Sequence, residues 1–163
     1  MIASVTIPLT DGSLSMTLNH IVKLILAIFI GLLIFRVSLS TWKKIDIFLI
    51  IFSFFLLTLV FFPFIGFEAN GASRWIRILG FSFQPSELMK FSLIIYISSY
   101  CFRRMTEFKE KWLGFWKPVL VVISAIALVL VEPDLGSSAV IFLISLTIMF
   151  IAGAPLKQML IIF

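Results

Sequence analysis

The sequence predicts an all-α fold: a polytopic α-helical membrane protein with about five complete spans and a truncated sixth, one integral-membrane domain over residues 1–163 that reads as incomplete at both ends. Three observations predict it. The 163 residues are 61% hydrophobic and 13% charged, against about 45–50% and about 25% in soluble domains. The excess sits in uninterrupted apolar runs of membrane-spanning length. The basic residues cluster between those runs, and all four tryptophans fall near run ends, as an interfacial aromatic belt requires. The alternating ten-residue segments of a membrane barrel are absent.

Residues 1–20 are mixed, with neither a basic leader nor a long apolar core. Ile21 to Leu39 is the first span, with Lys23 and Arg36 near its ends, where long basic side chains reach the headgroups. A short loop with Trp42, Lys43 and Lys44 follows. Ile47 to Ile65 is the clearest span, 19 residues without a charge, with Pro63 near its end. A long polar loop then runs from Gly66 to about Gln84.

The third span begins near Pro85, a residue suited to the first helical position, and ends around Phe102. Glu87 then falls in its first turn, facing the positive helix end. A strongly basic loop leads to a fourth span, Pro118 to Val131, short unless Phe115 and Trp116 extend it. The tight turn Glu132-Pro133-Asp134 precedes the fifth span, Leu135 to Ala152. Gly153-Ala154-Pro155 breaks the helix, and Leu156 to Phe163 reads as a sixth span cut off after two turns. A chain built this way reads as the middle of a longer one.

Orientation follows from charge. One set of connections holds Arg36, Lys43, Lys44, Arg103, Arg104, Lys109, Lys111, Lys117 and Lys157, nine basic residues, against four on the other side. The nine-residue side is expected to be cytoplasmic. Asn70–Lys90 and the Glu132–Asp134 turn then share the external face. In a soluble protein the net charge of +5 would suggest nucleic acid; here topology accounts for it, and nucleic acid is not an expected partner.

The stretch NGASRWIRILGFSFQPSELMK, Asn70 to Lys90, is the longest polar interruption. Glu87 and Lys90 are three apart and share a helix face, with Lys90 roughly 7–8 Å below the helix start at about 1.5 Å rise per residue. Such depth is costly for an ionisable group unless it pairs or lines a cavity. The pair reads either as a polar, externally open pocket or as a dipole-matching acid beside a snorkelling lysine. Arg74 and Arg77, also three apart, read either as forked donors for a diphosphate, with Trp75 offering a plate for a sugar face, or as interface anchors on a short amphipathic helix. Asp134 reads as the cap of the following helix, or as a brace for the pocket. Cys101 and His20 are the only cysteine and histidine, so a disulfide within the chain and a Cys- or His-rich metal site are excluded. No phosphate-binding loop, dinucleotide fingerprint or nucleophile elbow occurs. No cofactor is visible, and a divalent metal stays open.

NGASRWI, FQPSE and EPDLGS, in this order and separated by these spans, resemble the SEDS family of bacterial membrane proteins (shape, elongation, division and sporulation). The likeness covers essentially the whole chain, as the second to sixth helices of a ten-helix fold and the start of the seventh. GFWKP at Gly114–Pro118, FIAGA at Phe150–Ala154 and the opening MIASVTIPL resemble the branch that acts in cell division. The resemblance implies a peptidoglycan glycosyltransferase in the bacterial cytoplasmic membrane, polymerising lipid II with a class B penicillin-binding protein and other division proteins. It implies that Glu87 and Lys90 are the paired acid and base of the family's cavity and Asp134 the acid of its PDLG turn, with Arg74, Trp75, Gln84 and Glu132 as weaker supports. Ser137 stands where the family usually has threonine. The family's catalytic aspartate belongs to a loop after the seventh helix, so none of these residues is assigned as the catalyst. Two other readings stay open: a lipid II transporter using the same cavity, and a non-catalytic scaffold for division partners.

Overall fold

A computed structural model describes residues 12–62, 66–69, 72–78 and 81–162. The opening MIASVTIPL and Asn70 lie outside these residues. The chain divides into two compact units, Met1–Thr41 and Trp42–Phe163.

In the first unit, α1 (Gly12–Phe35) is a 24-residue helix, about 36 Å long at 1.5 Å per residue. It starts nine residues before the expected Ile21 and stops four before Leu39. Hydropathy marks the length immersed in apolar surroundings, whereas helix hydrogen bonding continues through GSLSMTLNH. Ser38 ends the connection by accepting from the Thr41 amide at 3.3 Å, an N-cap for the next helix.

α2 (Leu39–Leu59) therefore begins well before the expected Ile47 and ends before Ile65. Lys43, Lys44 and Asp46 are part of it. Asp46 is 1% exposed and is held by the Arg103 guanidinium, Nη2 to Oδ2 at 2.5 Å and Nη1 to Oδ1 at 3.3 Å, so its charge is compensated. Asp46, Ile50, Ser53 and Leu57 form the buried stripe of α2. Ser53 meets Ser92 hydroxyl to hydroxyl at 2.5 Å, a contact only small side chains allow.

The expected polar loop is instead an antiparallel sheet, and the short amphipathic helix of the interface-anchor reading does not form among the described residues. Strands β1 (Gly66–Ala69), β2 (Ala72–Ile78) and β3 (Phe81–Phe83) pair in that order, with Phe67 opposite Trp75 and Ile76 opposite Phe83. ASRWIRI carries Trp75, Ile76 and Ile78, large residues of the kind strands favour, but no strict polar–apolar alternation. Positions 74 and 77, three apart, fall on opposite faces of a strand, so the shared helical face that would make them one diphosphate fork is lost.

α3 (Pro85–Arg103) has Pro85 in its first turn and Glu87 beside it, as expected. The short α4 (Met105–Glu110) buries Phe108. α5 (Trp112–Val131) starts six residues before the expected Pro118 and carries that proline inside. The reason is a substitute donor. An internal proline leaves the carbonyl four residues earlier without its N–H, and Tyr100 Oη donates to that carbonyl, Gly114 O, at 2.8 Å. Gly114 itself is tight against α4: a Cβ there would stand 2.0 Å from Glu107 O.

α6 (Leu135–Ile151) ends in a Schellman turn, with Gly153 N bonded to Phe150 O and Ala154 N to Met149 O. Gly153 takes φ +84, the left-handed conformation this turn requires. α7 (Leu156–Ile162) follows. The core lies between α3, α5 and α6, where Met89, Leu93, Ile97, Ala125, Val129 and Ile141 are buried. Outward faces such as Leu120, Ile123, Leu143 and Phe150 are apolar and exposed, as lipid-facing surfaces are. The helical membrane class stands, with one small sheet added.

Candidate functional site: a polar cavity at the helix ends

The start of α3, the α5–α6 turn and strand β2 meet around a cavity of about 480 Å³ lined by Arg74, Trp75, Gln84, Glu87, Lys90, Asp134, Gly136, Ser137 and Val140. Each polar side chain arrives by a local rule. Gln84 precedes α3 in extended conformation but makes no side-chain cap. Its amide instead crosses to the turn, Nε2 donating to Asp134 Oδ2 at 3.0 Å. Asp134 caps α6, accepting from Ser137 N on Oδ1 at 3.0 Å, and Ser86 Oγ donates to Ser137 Oγ at 3.5 Å. Two links, Gln84 to Asp134 and Ser86 to Ser137, therefore join the ends of α3 and α6, and the Asp134 cap fixes the acid that Gln84 meets.

Arg74 reaches from β2 to the same turn. Its Nε donates to Glu132 O at 3.0 Å and its Nη2 to Pro133 O. Two of its five N–H donors are so used. Lys90 Nζ lies 2.6 Å from Glu87 Oε1, the lysine 17% and the glutamate 59% exposed. This pair bonds within its own helix, unlike Arg74 and Asp134.

The two acids of the turn differ in environment. Burial pushes the Asp134 carboxyl up, but the Ser137 amide and hydroxyl, then Arg74 and Lys90, outweigh it, and the group lies below its ordinary value. Asp134 is thus a charged, hydrogen-bonded brace. Glu132 is 1% exposed, and both its carboxyl oxygens are without a hydrogen-bond partner. Burial, then the neighbouring Asp134, pushes it up to about 7 against the pull of Arg74. Glu132 does not line the cavity; only its carbonyl serves the site, through Arg74.

Six of the seven residues singled out in the sequence, Arg74, Trp75, Gln84, Glu87, Lys90 and Asp134, share one cavity. The Arg77 side chain lies outside the described residues. Gly136, Ser137 and Val140 complete the wall; as a wall they were missed, although Gly136 and Ser137 lie within one helical turn of Asp134, with Val140 one turn further on. Two cations and two carboxylates line a space that can take an anionic, polar group. No cluster of three metal-binding side chains occurs among the described residues.

The whole chain, residues 1–163, matches the cell cycle protein family FTSW_RODA_SPOVE. The chain belongs to this family. It is 44% identical over 132 residues to a protein of Saccharophagus degradans named probable peptidoglycan glycosyltransferase FtsW, covering 81% of this chain and 34% of that one. A protein of the same name from Aliivibrio salmonicida is 36% identical over 162 residues, covering 97% of this chain and 40% of the relative. The crystal structure of the Thermus thermophilus rod shape determining protein RodA superimposes with a TM-score of 0.73 at 27% identity, covering 86% of this chain and 45% of that one. A structure described as showing coordination of polymerization and crosslinking by a peptidoglycan synthase complex also matches, with a TM-score of 0.73 and 28% identity over 86% of this chain and 40% of the other. The chain spans about a third to two fifths of the curated relatives' length. FTSW_RODA_SPOVE proteins are multi-pass helical membrane proteins, the class to which the apolar, exposed helix faces belong.

Proposed function

We propose that this chain forms the substrate-side part of a peptidoglycan glycosyltransferase that polymerises lipid II during bacterial cell division. The observation that carries the reading is the convergence of Arg74, Lys90, Glu87, Gln84, Asp134 and Trp75 on one cavity where the start of α3, the α5–α6 turn and β2 meet. The names of the FtsW relatives support the reaction. The nine-against-four distribution of basic residues supports placing the cavity on the external face, where a lipid-linked sugar would be polymerised.

The residues divide the work. Arg74, fixed by two carbonyls, keeps free donors for the oxygens of a diphosphate. Lys90 adds a second cation by exchanging Glu87 for the ligand. Trp75 offers a face to a sugar ring. Asp134 and Gln84 hold the helix ends in register, and Glu132 supports the turn through its carbonyl. None of these side chains forms a nucleophile–base pair, so their role is binding and orientation. A class B penicillin-binding protein is the proposed partner, in line with the synthase complex among the matching structures.

The test is glycan-strand formation from fluorescent lipid II by the protein with its transpeptidase partner in detergent. Lys90→Ala and Arg74→Ala are expected to lower polymer yield at least tenfold, corresponding to loss of one charge-assisted hydrogen bond worth about 1.5–3 kcal/mol. Full activity in both variants would overturn the cavity's role. Transbilayer movement of lipid II without polymer would favour the transporter reading.

A further inference from the structure

We propose that the end of the helix bundle opposite the cavity is a docking surface for anionic phospholipid headgroups. α3 starts at the cavity and ends at Arg103, α5 runs back from Trp112 to the Glu132 turn, and α6 returns from that turn to Ile151. The connections at the far end are thereby gathered together. Arg103 ties the start of α2 to this end through Asp46 and the Lys43 carbonyl. Lys109 of α4 lies against the α6–α7 turn, its Nζ 3.0 Å from where a Gly153 Cβ would stand.

Eight basic residues of this unit lie at this end against three acids, Asp46, Glu107 and Glu110. Two of the acids are already engaged: Asp46 by Arg103, and Glu107 by both Arg104 and Lys117. Lys44, Lys109, Lys111 and Lys157 are exposed and form no ion pair among the described residues. The surface thus has unbalanced positive charge that the fold does not consume.

What stands between the lysines selects the partner. Phe102 is 66%, Trp112 53%, Leu113 72% and Leu156 65% exposed, and the Lys43 ammonium lies 3.5 Å over the Phe102 ring. Alternating ammonium and apolar groups match a headgroup–acyl boundary, where phosphates meet the cations and the apolar tips enter the hydrocarbon. An acidic peptide would meet the charges and leave the apolar tips in water.

The test is native mass spectrometry of the protein in neutral detergent with equal phosphatidylglycerol and phosphatidylcholine. Retention of phosphatidylglycerol over phosphatidylcholine is expected, falling about fivefold for each lysine removed, on the order of a hundredfold in the variant Lys44→Gln/Lys111→Gln/Lys157→Gln. The matching triple arginine variant is expected to restore it. Arg74 and Lys90 are unchanged in both, so the difference reads this end alone. Equal retention of the two lipids, an undiminished preference in the glutamine variant, or loss in the arginine variant would overturn the proposal. So would tight binding of a poly-glutamate peptide without lipid preference, which would identify a protein partner.

Discussion

Replacing Glu132 by Gln tests the electrostatics of the turn that carries Asp134. Glu132 is 1% exposed, its carboxyl oxygens have no partner, and burial raises it from 4.5 to about 7. The folded state then holds this proton where the unfolded chain has released it. With more protons bound when folded, stability falls as pH rises. The fall starts above the unfolded value near 4.5 and is complete above the folded value near 7. At about 1.4 kcal/mol per pK unit, the full loss is on the order of 3 kcal/mol. Gln cannot ionise, so the variant should lose this slope. Its buried amide remains unpartnered at every pH, which costs roughly 1–3 kcal/mol and shifts the curve without tilting it. The assay is thermal melting followed by tryptophan fluorescence in detergent at pH 5, 6, 7 and 8. Wild type should melt several degrees lower at pH 8 than at pH 5, and Glu132→Gln should be nearly flat. A wild-type slope retained in the variant would show that other groups carry the pH dependence, refuting the reasoning.

Three other outcomes are expected. Tyr100→Phe removes the hydroxyl that donates to the Gly114 carbonyl opposite Pro118, and should cost about 1–3 kcal/mol in chemical denaturation; no change would mean that water or a neighbour serves the carbonyl. Arg103→Met leaves Asp46 charged and buried, and should cost about 3–5 kcal/mol, most of it recovered in Arg103→Met/Asp46→Asn, with the double variant's failure to recover counting against the pairing. The hydrogen bonds of Lys117 and then Arg104 hold the Glu107 carboxyl down at about 2. An acid lowered on folding adds stability that is present above its unfolded value of 4.5 and lost as pH falls toward about 2. Glu107→Gln should therefore remove acid sensitivity over that interval, measured by amide hydrogen exchange in α4 and early α5.

The helices were legible in the sequence because lipid immersion and hydropathy report the same thing. Their ends were not, because local rules yielded to remote partners. The second span was expected to start at Ile47, yet the helix already includes Asp46, whose burial Arg103, 57 residues away, makes tolerable. Pro118 argued for a helix start, yet Tyr100 supplies the donor that the proline lacks. The sheet was missed because Ala72–Ile78 is only seven residues long and lacks the two-residue alternation that marks a strand. At the cavity, Glu87 and Lys90 were readable from a spacing of three on one helix. The bond from Gln84 to Asp134 joins positions 50 apart, and no local pattern encodes it.

The polar groups of the cavity differ in what a ligand would have to displace. Asp134 is held from two elements and Arg74 crosses from β2 to the α5–α6 turn, so both are oriented before anything binds. Preorganised donors lose little freedom on binding, and their contribution is correspondingly large. Lys90 bonds to Glu87, a neighbour three residues away that is 59% exposed. Water hydrates the released carboxylate well, so an entering anion can exchange with Glu87 at small cost. Arg74 therefore sets where an anionic group sits, and the Lys90–Glu87 pair is the part that opens to receive it. Glu87→Gln frees Lys90 and should tighten binding of a soluble diphosphate analogue, measured by calorimetry, whereas Arg74→Lys should weaken it by losing the fork while keeping the charge. Weaker binding in Glu87→Gln would show that the acid contacts the ligand directly and that the pair does not exchange.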